Sequence, residues 1–211
     1  MASNLLKSPG FAANCTAGHA VVLDHPLSVT FPRLGHGDTM ESNVRLSDLT
    51  SVFDLVKSDT VAIPSTLHLS EVSVRTLPGS ATPAEGERLL PRQFFHLEET
   101  VPLLFGLVKR TVKLDGTLTW DEDAKVALYE SLESGQGVLV WKLREFEEFE
   151  DGGIKKTKVK ERVEALAPKL LRGIVESTMR EAHMYVVWLS EERMLTLTNR
   201  LHLEKYHTLF K

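Results

Sequence analysis

The chain has 211 residues, enough for one domain with a sizeable core, and its apolar and charged fractions are ordinary for a globular protein. A formal net charge of -4 gives no basic footprint for nucleic acid, so we expect no nucleic-acid partner. The single cysteine, Cys15, excludes an internal disulfide and a cysteine metal cluster, and it suits a reducing compartment.

Targeting and membrane segments are not evident in the sequence. Met1–Thr16 contains no apolar run long enough for the core of a signal peptide. No stretch of the chain is long and apolar enough to span a bilayer. We therefore expect a cytoplasmic protein without stable membrane insertion.

The first part of the chain reads as a tail, a strand, a helix and another strand. Residues 1–18 are small and polar, which predicts a flexible N-terminal tail. A strand is predicted over His19–Phe31, with an internal proline that marks an edge or a bulge. Apolar residues then recur at helical spacing from Met40, which predicts a helix over Leu49–Lys57. Leu67–Thr76 follows as a second strand.

From Arg92 onward the chain reads as successive strands separated by turn signals. In the last of them, Glu161 shares a face with Val159 and Val163, while the intervening residues are charged. One face is therefore wet, which predicts an antiparallel, half-exposed sheet. The predicted strands are Arg92–Val101, Leu104–Leu114, Thr117–Asp121, Lys125–Leu132, Val138–Phe149 and Ile154–Ala165.

One long helix is predicted after the strands. Pro168 is well placed in its first turn, and the helical pattern continues to about Leu197. An apolar stripe runs along it from Leu171 to Leu189. A curved sheet with such a helix across its concave face encloses a cavity that can hold a ligand. Because Met184–Leu189 is apolar all round, we expect the tail beyond it, or a second subunit in a homodimer, to cover that segment.

Three parts of the chain carry a resemblance to a known family. They are Lys156–Pro168 with the amphipathic helix that follows it, the hairpin formed by Gly116–Asp121 and Val126–Glu130, and an early helix pair over Asp48–Ser65. Together they resemble the helix-grip superfamily of START domains, pollen-allergen-like proteins and aromatic polyketide cyclases. The likeness is nearest to uncharacterised fungal members of that superfamily and covers roughly His19–Leu189.

This resemblance implies an α+β helix-grip fold, in which a curved antiparallel sheet wraps around a long C-terminal helix and leaves an internal cavity. It implies a ligand-binding domain over 19–190 and a C-terminal extension over 191–211. Members of the superfamily carry lipids and sterols, bind hormones, or cyclise and rearrange reactive polyketides without a cofactor. The implied partner is therefore an apolar small molecule.

Motifs for nucleotide, phosphate, serine-nucleophile or zinc chemistry are not found in the sequence. The eight histidines are scattered along the chain. His19, His25 and His36 could approach one another, but no spacing of carboxylates supports a metal site there. We therefore expect the protein to work without a metal or a cofactor.

Glu161 is the sharpest catalytic candidate, because it lies between Val159 and Val163 on an apolar face. If that face lines a cavity, desolvation raises the pKa of the carboxyl group and makes it a general acid or base. The alternative, and the commoner arrangement, is a cross-strand ion pair with Arg144 or another basic residue.

Three further residues are candidates for acid–base or hydrogen-bonding roles. An inward His96 would act as an acid, a base or a donor to a carbonyl, and otherwise it is a rim or surface residue. Arg110, between Val108 and Val112, would bind a carboxylate or an enolate, or else pair with a glutamate. Tyr129 would stack on an unsaturated ligand and donate a hydrogen bond, or else belong to the core.

The predicted ligand contacts are aromatic residues on the strands and one face of the C-terminal helix. Such residues more often belong simply to a core, and the two polar ones on the helix otherwise bond only to its backbone. The set comprises Trp141, Phe95, Leu171, Val175, Thr178, Ala182 and Tyr185.

These features predict an enzyme of specialised metabolism that promotes cofactor-free cyclisation, cycloaddition or isomerisation of an apolar polyketide or terpenoid intermediate. A cavity would hold the reactive chain folded, and one or two donors would stabilise charge on a carbonyl. The alternatives are a non-catalytic carrier of lipid or sterol and, less directly, an interaction module that uses the apolar helix. A carrier needs few inward ionisable groups, whereas a cyclase should place at least one of Glu161, His96, Arg110 or Tyr129 near the ligand.

Overall fold

The computed structural model describes residues 12–36, 51–79, 82–103, 108–177 and 179. The helices are α1 (Leu27–Gly35), a 3-10 helix (Leu69–Glu71) and a helical segment over 172–177. The strands are β1 (Cys15–Leu23), β2 (Ser51–Pro64), β3 (Glu87–Leu103), β4 (Val108–Asp121), β5 (Val126–Glu133), β6 (Val138–Asp151) and β7 (Ile154–Leu166). They form one antiparallel sheet in the order β1-β7-β6-β5-β4-β3-β2.

Most of the sheet is a meander, in which each strand from β2 to β7 pairs with the next one along the chain, while β1 joins the edge beside β7. The turn between β6 and β7 shows how the sequence specifies a pair. Gly152 and Gly153 both have positive φ, at 60° and 81°. A two-residue hairpin turn whose twist matches its strands needs that backbone, and glycine adopts it without a Cβ clash.

The strand register divides the sheet into two faces, because successive side chains point to opposite sides. The strap face carries Leu90 and Leu128 and is covered by residues 65–79, which we call the strap. The helix face carries Leu118 and Val159, against which α1 packs.

A cluster of buried apolar side chains joins the strap to the strap face. Removing these side chains from water is the main favourable contribution to this layer. The members come from the strap and from β2, β3, β5 and β6: Val61, Ile63, Leu69, Val72, Val74, Leu90, Val126, Leu128, Trp141 and Leu143.

Arg92 fixes the strap to the sheet by polar contacts. Its side chain is 1% exposed, and its Nε and Nη2 donate to the two carboxylate oxygens of Asp59 on β2, at 2.8 and 3.0 Å. The remaining nitrogen, Nη1, donates to the carbonyl oxygens of Val74 (2.6 Å) and Leu77 (2.8 Å) in the strap. One guanidinium therefore satisfies two strap carbonyls that form no strand ladder.

Glu130 on β5 binds hydrogen-bond donors of the strap, whereas Arg92 binds acceptors. Its carboxylate accepts hydrogen bonds from the backbone N–H groups of Val74 and Arg75, both at 2.8 Å, and from the hydroxyl of Ser73. Burial raises the pKa of Glu130, and these donors act against that shift. The strap thus has both its donors and its acceptors bound by buried charged side chains.

The helix face is covered at two places. Near one end, α1 packs Phe31 edge-on against Phe146, with ring centroids 5.0 Å apart. Near the other end, Val175 and Met179 pack against Val163 and its neighbours on β1 and β7. No helix in the described part of the chain is long and apolar enough to cross a membrane.

The predicted fold class is wrong. The described residues form mostly a seven-stranded antiparallel sheet with short helices, and not a helix-grip sheet wrapped around a long C-terminal helix. At the start of the predicted helix, Ile174 is 53% exposed, so the apolar stripe is not a continuous buried face there. The strap and α1 supply covering layers instead. The stripe beyond residue 179 and the extension over 191–211 lie outside the described residues.

Three predicted elements in the first half of the chain are also wrong. The segment Leu27–Phe31 is helical, because Pro26 is extended just before it and its carbonyl accepts from the N–H groups of Val29 and Thr30. The segment Leu67–Thr76 is not a strand, because buried side chains rather than a neighbouring strand bind its backbone.

The predicted helix over Leu49–Lys57 and the helix pair over Asp48–Ser65 fail for another reason. From Ser51 to Pro64 the chain is β2, paired with β3. The register shifts between Leu55 and Lys57, and such a bulge breaks the period of two. The apolar residues therefore fall at helical spacing although the segment is a strand.

The strand series in the second half is confirmed except at β4. Leu104–Leu114 and Thr117–Asp121 were predicted as two strands separated by a turn, but from Val108 to Asp121 the chain is one strand, paired with β3 through Asp115 and Gly116. The alternation of β7 and the turn signals around Asp121 and Gly152 place the strands within a few residues of the structure. β1 begins at Cys15, earlier than the predicted start at His19.

Replacing Arg92 should lower the free energy of unfolding of the protein. Arg92→Met removes two hydrogen bonds from Asp59, which still has Lys57 at 3.5 Å, and one donor from each of two strap carbonyls. Breaking a buried pair in this way costs about 3 kcal/mol or more of unfolding free energy. Urea denaturation measures the change. The matched control is Arg172→Met, which removes an exposed ion pair with Glu176 and should change stability by less than about 0.5 kcal/mol. Equal midpoints for the two variants would show that the strap does not depend on Arg92.

Candidate functional site

Phe95, Tyr129 and Lys142 form a row across the middle of the helix face. The rings of Phe95 and Tyr129 are stacked, with centroids 5.3 Å apart and planes 25° apart. Lys142 lies directly opposite Tyr129 in the register of β5 and β6, and its Nζ is 4.8 Å from the centre of the Tyr129 ring. We call these three residues the aromatic–amine row.

The row depends on Gly116 in β4. A Cβ atom built on Gly116 would lie 2.2 Å from Cζ of the Phe95 ring, which no real side chain tolerates. Phe95 is therefore able to lie flat over β4 and reach Tyr129 only because position 116 has no side chain. The local sequence thus brings residues of β3, β5 and β6 into one line.

Lys142 is the most unusual ionisable group on this face. The pKa of Lys142 is lowered to about 8: burial is the main cause, the charge of Glu161 acts in the opposite direction, and the charge of Arg144 adds to the lowering. Within the part of the chain that the structure describes, no carboxylate forms an ion pair with Lys142. A substantial fraction of this amine is therefore neutral, and nucleophilic, at mildly alkaline pH.

Glu161 forms an ion pair with Arg144, which is the cross-strand pair that the sequence analysis gave as the alternative to a catalytic role. The two residues lie opposite each other in the register of β6 and β7, and Arg144 Nε donates to Glu161 Oε2 in a close ion pair. Arg144 Nη1 also donates to the carbonyl oxygen of Leu34 in α1, at 3.0 Å. The pair therefore joins two strands to α1 and shares the helix face with the aromatic–amine row.

His96 lies on the other side of the sheet from the row. It follows Phe94 on the strap face, where its Nδ1 is 2.9 Å from Asp115 Oδ1 and its Nε2 is 3.4 Å from Glu98. The hydrogen bond to Asp115 raises the pKa of His96, and Glu98 adds to this shift. His96 is therefore a half-exposed histidine at the rim of the sheet, next to two acidic side chains.

Trp141 is also on the strap face and belongs to its core. Its side chain is buried, its Nε1 donates to the carbonyl oxygen of Val72 at 3.4 Å, and the guanidinium of Arg162 lies 5.1 Å from its ring. Trp141 thus fixes the strap and does not share a face with Tyr129.

The structure describes only some of the remaining residues predicted for the site. Leu171 and Val175 are half-buried, and Val175 packs at the β1–β7 end of the helix face. Arg110 pairs with Val101 in the backbone register of β4 and β3, but the structure does not describe its side chain. Three further predicted residues lie outside the described residues: Thr178, Ala182 and Tyr185.

The structure therefore brings Tyr129, Glu161 and Phe95 to one face and places His96 and Trp141 on the other. Lys142 was missed by the sequence reasoning. A signal was present, because alternation along β6 puts Lys142 on the same face as Val140 and the buried Phe146.

Among the described residues, no three histidine, cysteine, aspartate or glutamate side chains are arranged so that they could hold a metal ion. His36, one of the three N-terminal histidines, instead contacts Glu122 at 2.9 Å and stacks on Trp120 with ring centroids 5.3 Å apart.

The pairing of Glu161 makes a prediction that separates structure from catalysis. Glu161→Gln leaves the half-buried Arg144 charged, with the Leu34 carbonyl but without its carboxylate partner, so the unfolding free energy should fall by about 2 kcal/mol or more. The folded fraction should keep near-normal ligand binding and turnover. Melting temperature and rate constant are measured on one preparation, with Glu164→Gln on the same strand as control. A stable variant with a lost rate would restore Glu161 as the acid.

Lys142 should give stability a distinct dependence on pH. The folded chain holds this proton less tightly than the unfolded chain, so stability rises as pH increases from about 8 to 10.5. Lys142→Met removes that rise and increases the melting temperature near pH 7, because a desolvated charge is gone. Thermal melts across this pH range provide the measurement.

Lys113→Met, which changes an exposed lysine on the strap face, is the control and should melt with the wild-type pH dependence. If Lys142→Met and wild type have parallel profiles, Lys142 is not desolvated in solution.

Comparison with models of known protein families finds none that matches this chain, and comparison with curated proteins finds no match either. The function is therefore inferred from the site itself.

Proposed function

We propose that the protein binds an apolar, unsaturated small molecule on its helix face and promotes cofactor-free cyclisation or isomerisation of a polyketide or terpenoid intermediate. The observation that carries this proposal is the aromatic–amine row: an amine of lowered pKa beside two stacked rings, on a face whose neighbouring Arg144 and Glu161 pair with each other. Rearrangement of such a molecule needs a surface that holds it and a group that moves a proton.

The half-buried Tyr129 supplies the holding surface, and the buried ring of Phe95 stacked on it keeps it in place. Flat unsaturated molecules stack on aromatic rings, and each such contact is worth about 0.5–1.5 kcal/mol beyond burial of area. Neighbouring positions on the face, including Leu118 and Ala127, are apolar and buried. A ligand lying there would be oriented along the row, with one end towards Lys142.

Lys142 supplies the proton transfer. A general base works best when its pKa lies near the operating pH, and a pKa of about 8 satisfies this condition better than that of an ordinary lysine. The neutral amine can take a proton from the carbon beside a ligand carbonyl, and the ammonium can return it elsewhere. Glu161 would support the site by neutralising Arg144, rather than by acting as the acid.

A non-catalytic carrier of lipid or sterol is the second candidate. One observation favours it: the ion pair of Arg144 and Glu161 leaves few unpaired ionisable groups on the helix face, as a carrier requires. An internal cavity, a homodimer and a cytoplasmic location stay predictions. The segments invoked for the cavity and the dimer, Leu171–Leu189 and Met184–Leu189, lie mostly or wholly outside the described residues.

Proton exchange on a simple ketone tests the proposal. The ketone 2-tetralone is flat, apolar and enolisable, and its exchange with D2O is followed by NMR. The protein should accelerate exchange at the carbon next to the carbonyl, and Lys142→Met should reduce that acceleration by roughly 10²-fold. Lys113→Met is the matched control and should exchange like wild type.

Binding and exchange together distinguish the two candidates. A ketone that shifts protein resonances on the helix face without faster exchange identifies a carrier. Absence of both binding and exchange would contradict the small-molecule proposal as a whole.

A further inference from the structure

We propose that Lys142 captures carbonyl compounds covalently, by forming an imine between its Nζ and an aldehyde or ketone group of a flat, apolar ligand. This inference rests on the proposed function, because it uses the same face and specifies how the ligand is held there. It assigns to Lys142 a chemical role that no other described residue of the helix face can take.

The position of Lys142 in the sheet carries the first step of the argument. It lies on β6 near the middle of the seven-stranded sheet, directly opposite Tyr129 on β5 and Val163 on β7. The residue is half-buried in the middle of the sheet. Lys113 on the strap face is by contrast exposed and paired with Glu98.

The neighbouring charges leave the amine without a counter-ion among the described residues. On β7, Glu161 is paired with Arg144 of β6. On β5, Glu133 accepts a hydrogen bond from the backbone N–H of Gln136 at the strand end. His19 of β1 lies opposite Glu161 in the register. Burial therefore outweighs the opposing charge of Glu161, and with a smaller contribution from Arg144 the pKa of Lys142 falls to about 8.

The reaction balances without a further reagent. The lone pair of neutral Nζ attacks the carbonyl carbon, a C–N bond forms, and the π electrons of the C=O bond move to oxygen. A proton passes from nitrogen to that oxygen to give a carbinolamine. Loss of water then leaves the C=N bond, so one amine and one carbonyl give one imine and one water.

The ring of Tyr129 favours the cationic form of the product. The Nζ position lies 4.8 Å from the centre of that ring, within the range of cation–π attraction. A protonated imine keeps its positive charge on the same nitrogen, so the ring stabilises it as it does the ammonium. A protonated imine also acidifies the adjacent C–H bond, which serves the proposed proton transfer.

Reductive trapping tests the inference. The full-length protein is incubated with 2-tetralone and sodium cyanoborohydride near neutral pH, which reduces the imine to a stable secondary amine. Peptide mapping by mass spectrometry should find Lys142 labelled at least about tenfold more than any exposed lysine, because a far larger fraction of its amine is neutral. Lys142→Met should lose that label, and Lys142→Arg, which keeps a cation in place, should lose it too.

The control variant and the deuterium-exchange assay distinguish failure of the imine inference from failure of the proposed function. Lys113→Met should keep full labelling at Lys142. Even labelling of all lysines, or a label elsewhere on the helix face, overturns the inference. If ketone exchange is accelerated but Lys142 is not labelled, the proposed function stands and the imine is excluded. If neither occurs and the ketone does not bind, both proposals fail.

Discussion

The buried guanidinium of Arg92 is the contact on which the arrangement of layers depends. A sheet with one apolar face against water is not stable, and here the strap that covers it has no strand ladder of its own to fix it. Arg92 binds two strap carbonyls and Asp59, while Glu130 binds two strap N–H groups from the next strand but one. Hydrophobic burial holds the strap down, and these two charges decide its position along the sheet.

With one face closed in this way, the ionisable groups of the proposed site lie on the opposite face. Two cations on β6, Lys142 and Arg144, lie two residues apart on that face and have different environments. Arg144 has a carboxylate and a carbonyl as partners. Lys142 has an aromatic ring. A structural ion pair beside it thus keeps Lys142 from acquiring the counter-ion that would make it an ordinary surface lysine.

How far the sequence predicts the structure depends on whether a pattern is local. The alternation in β7 is local and clean, so the strand and the face of Glu161 are predictable, as is Arg144 as one of its partners. The strand β2 is not predictable from the sequence, because its bulge at Leu55 and Lys57 places apolar residues at helical spacing. The strap is not predictable either, because its position depends on Arg92 and Glu130, which lie on strands distant in sequence. Lys142 was within reach of the same alternation, but it needs its neighbours on β5 and β7 to become distinctive.

Gly116 has a consequence for selectivity. It lies beneath the Phe95 ring and has no side chain to touch any ligand, yet it determines how low that ring sits. A methyl group there would lift the phenyl ring away from β4 and narrow the space above the helix face. If a ligand binds on the helix face as proposed, the thickness of the molecules that fit would change in evolution through a residue that never contacts them, while Lys142, two strands away, stays as it is.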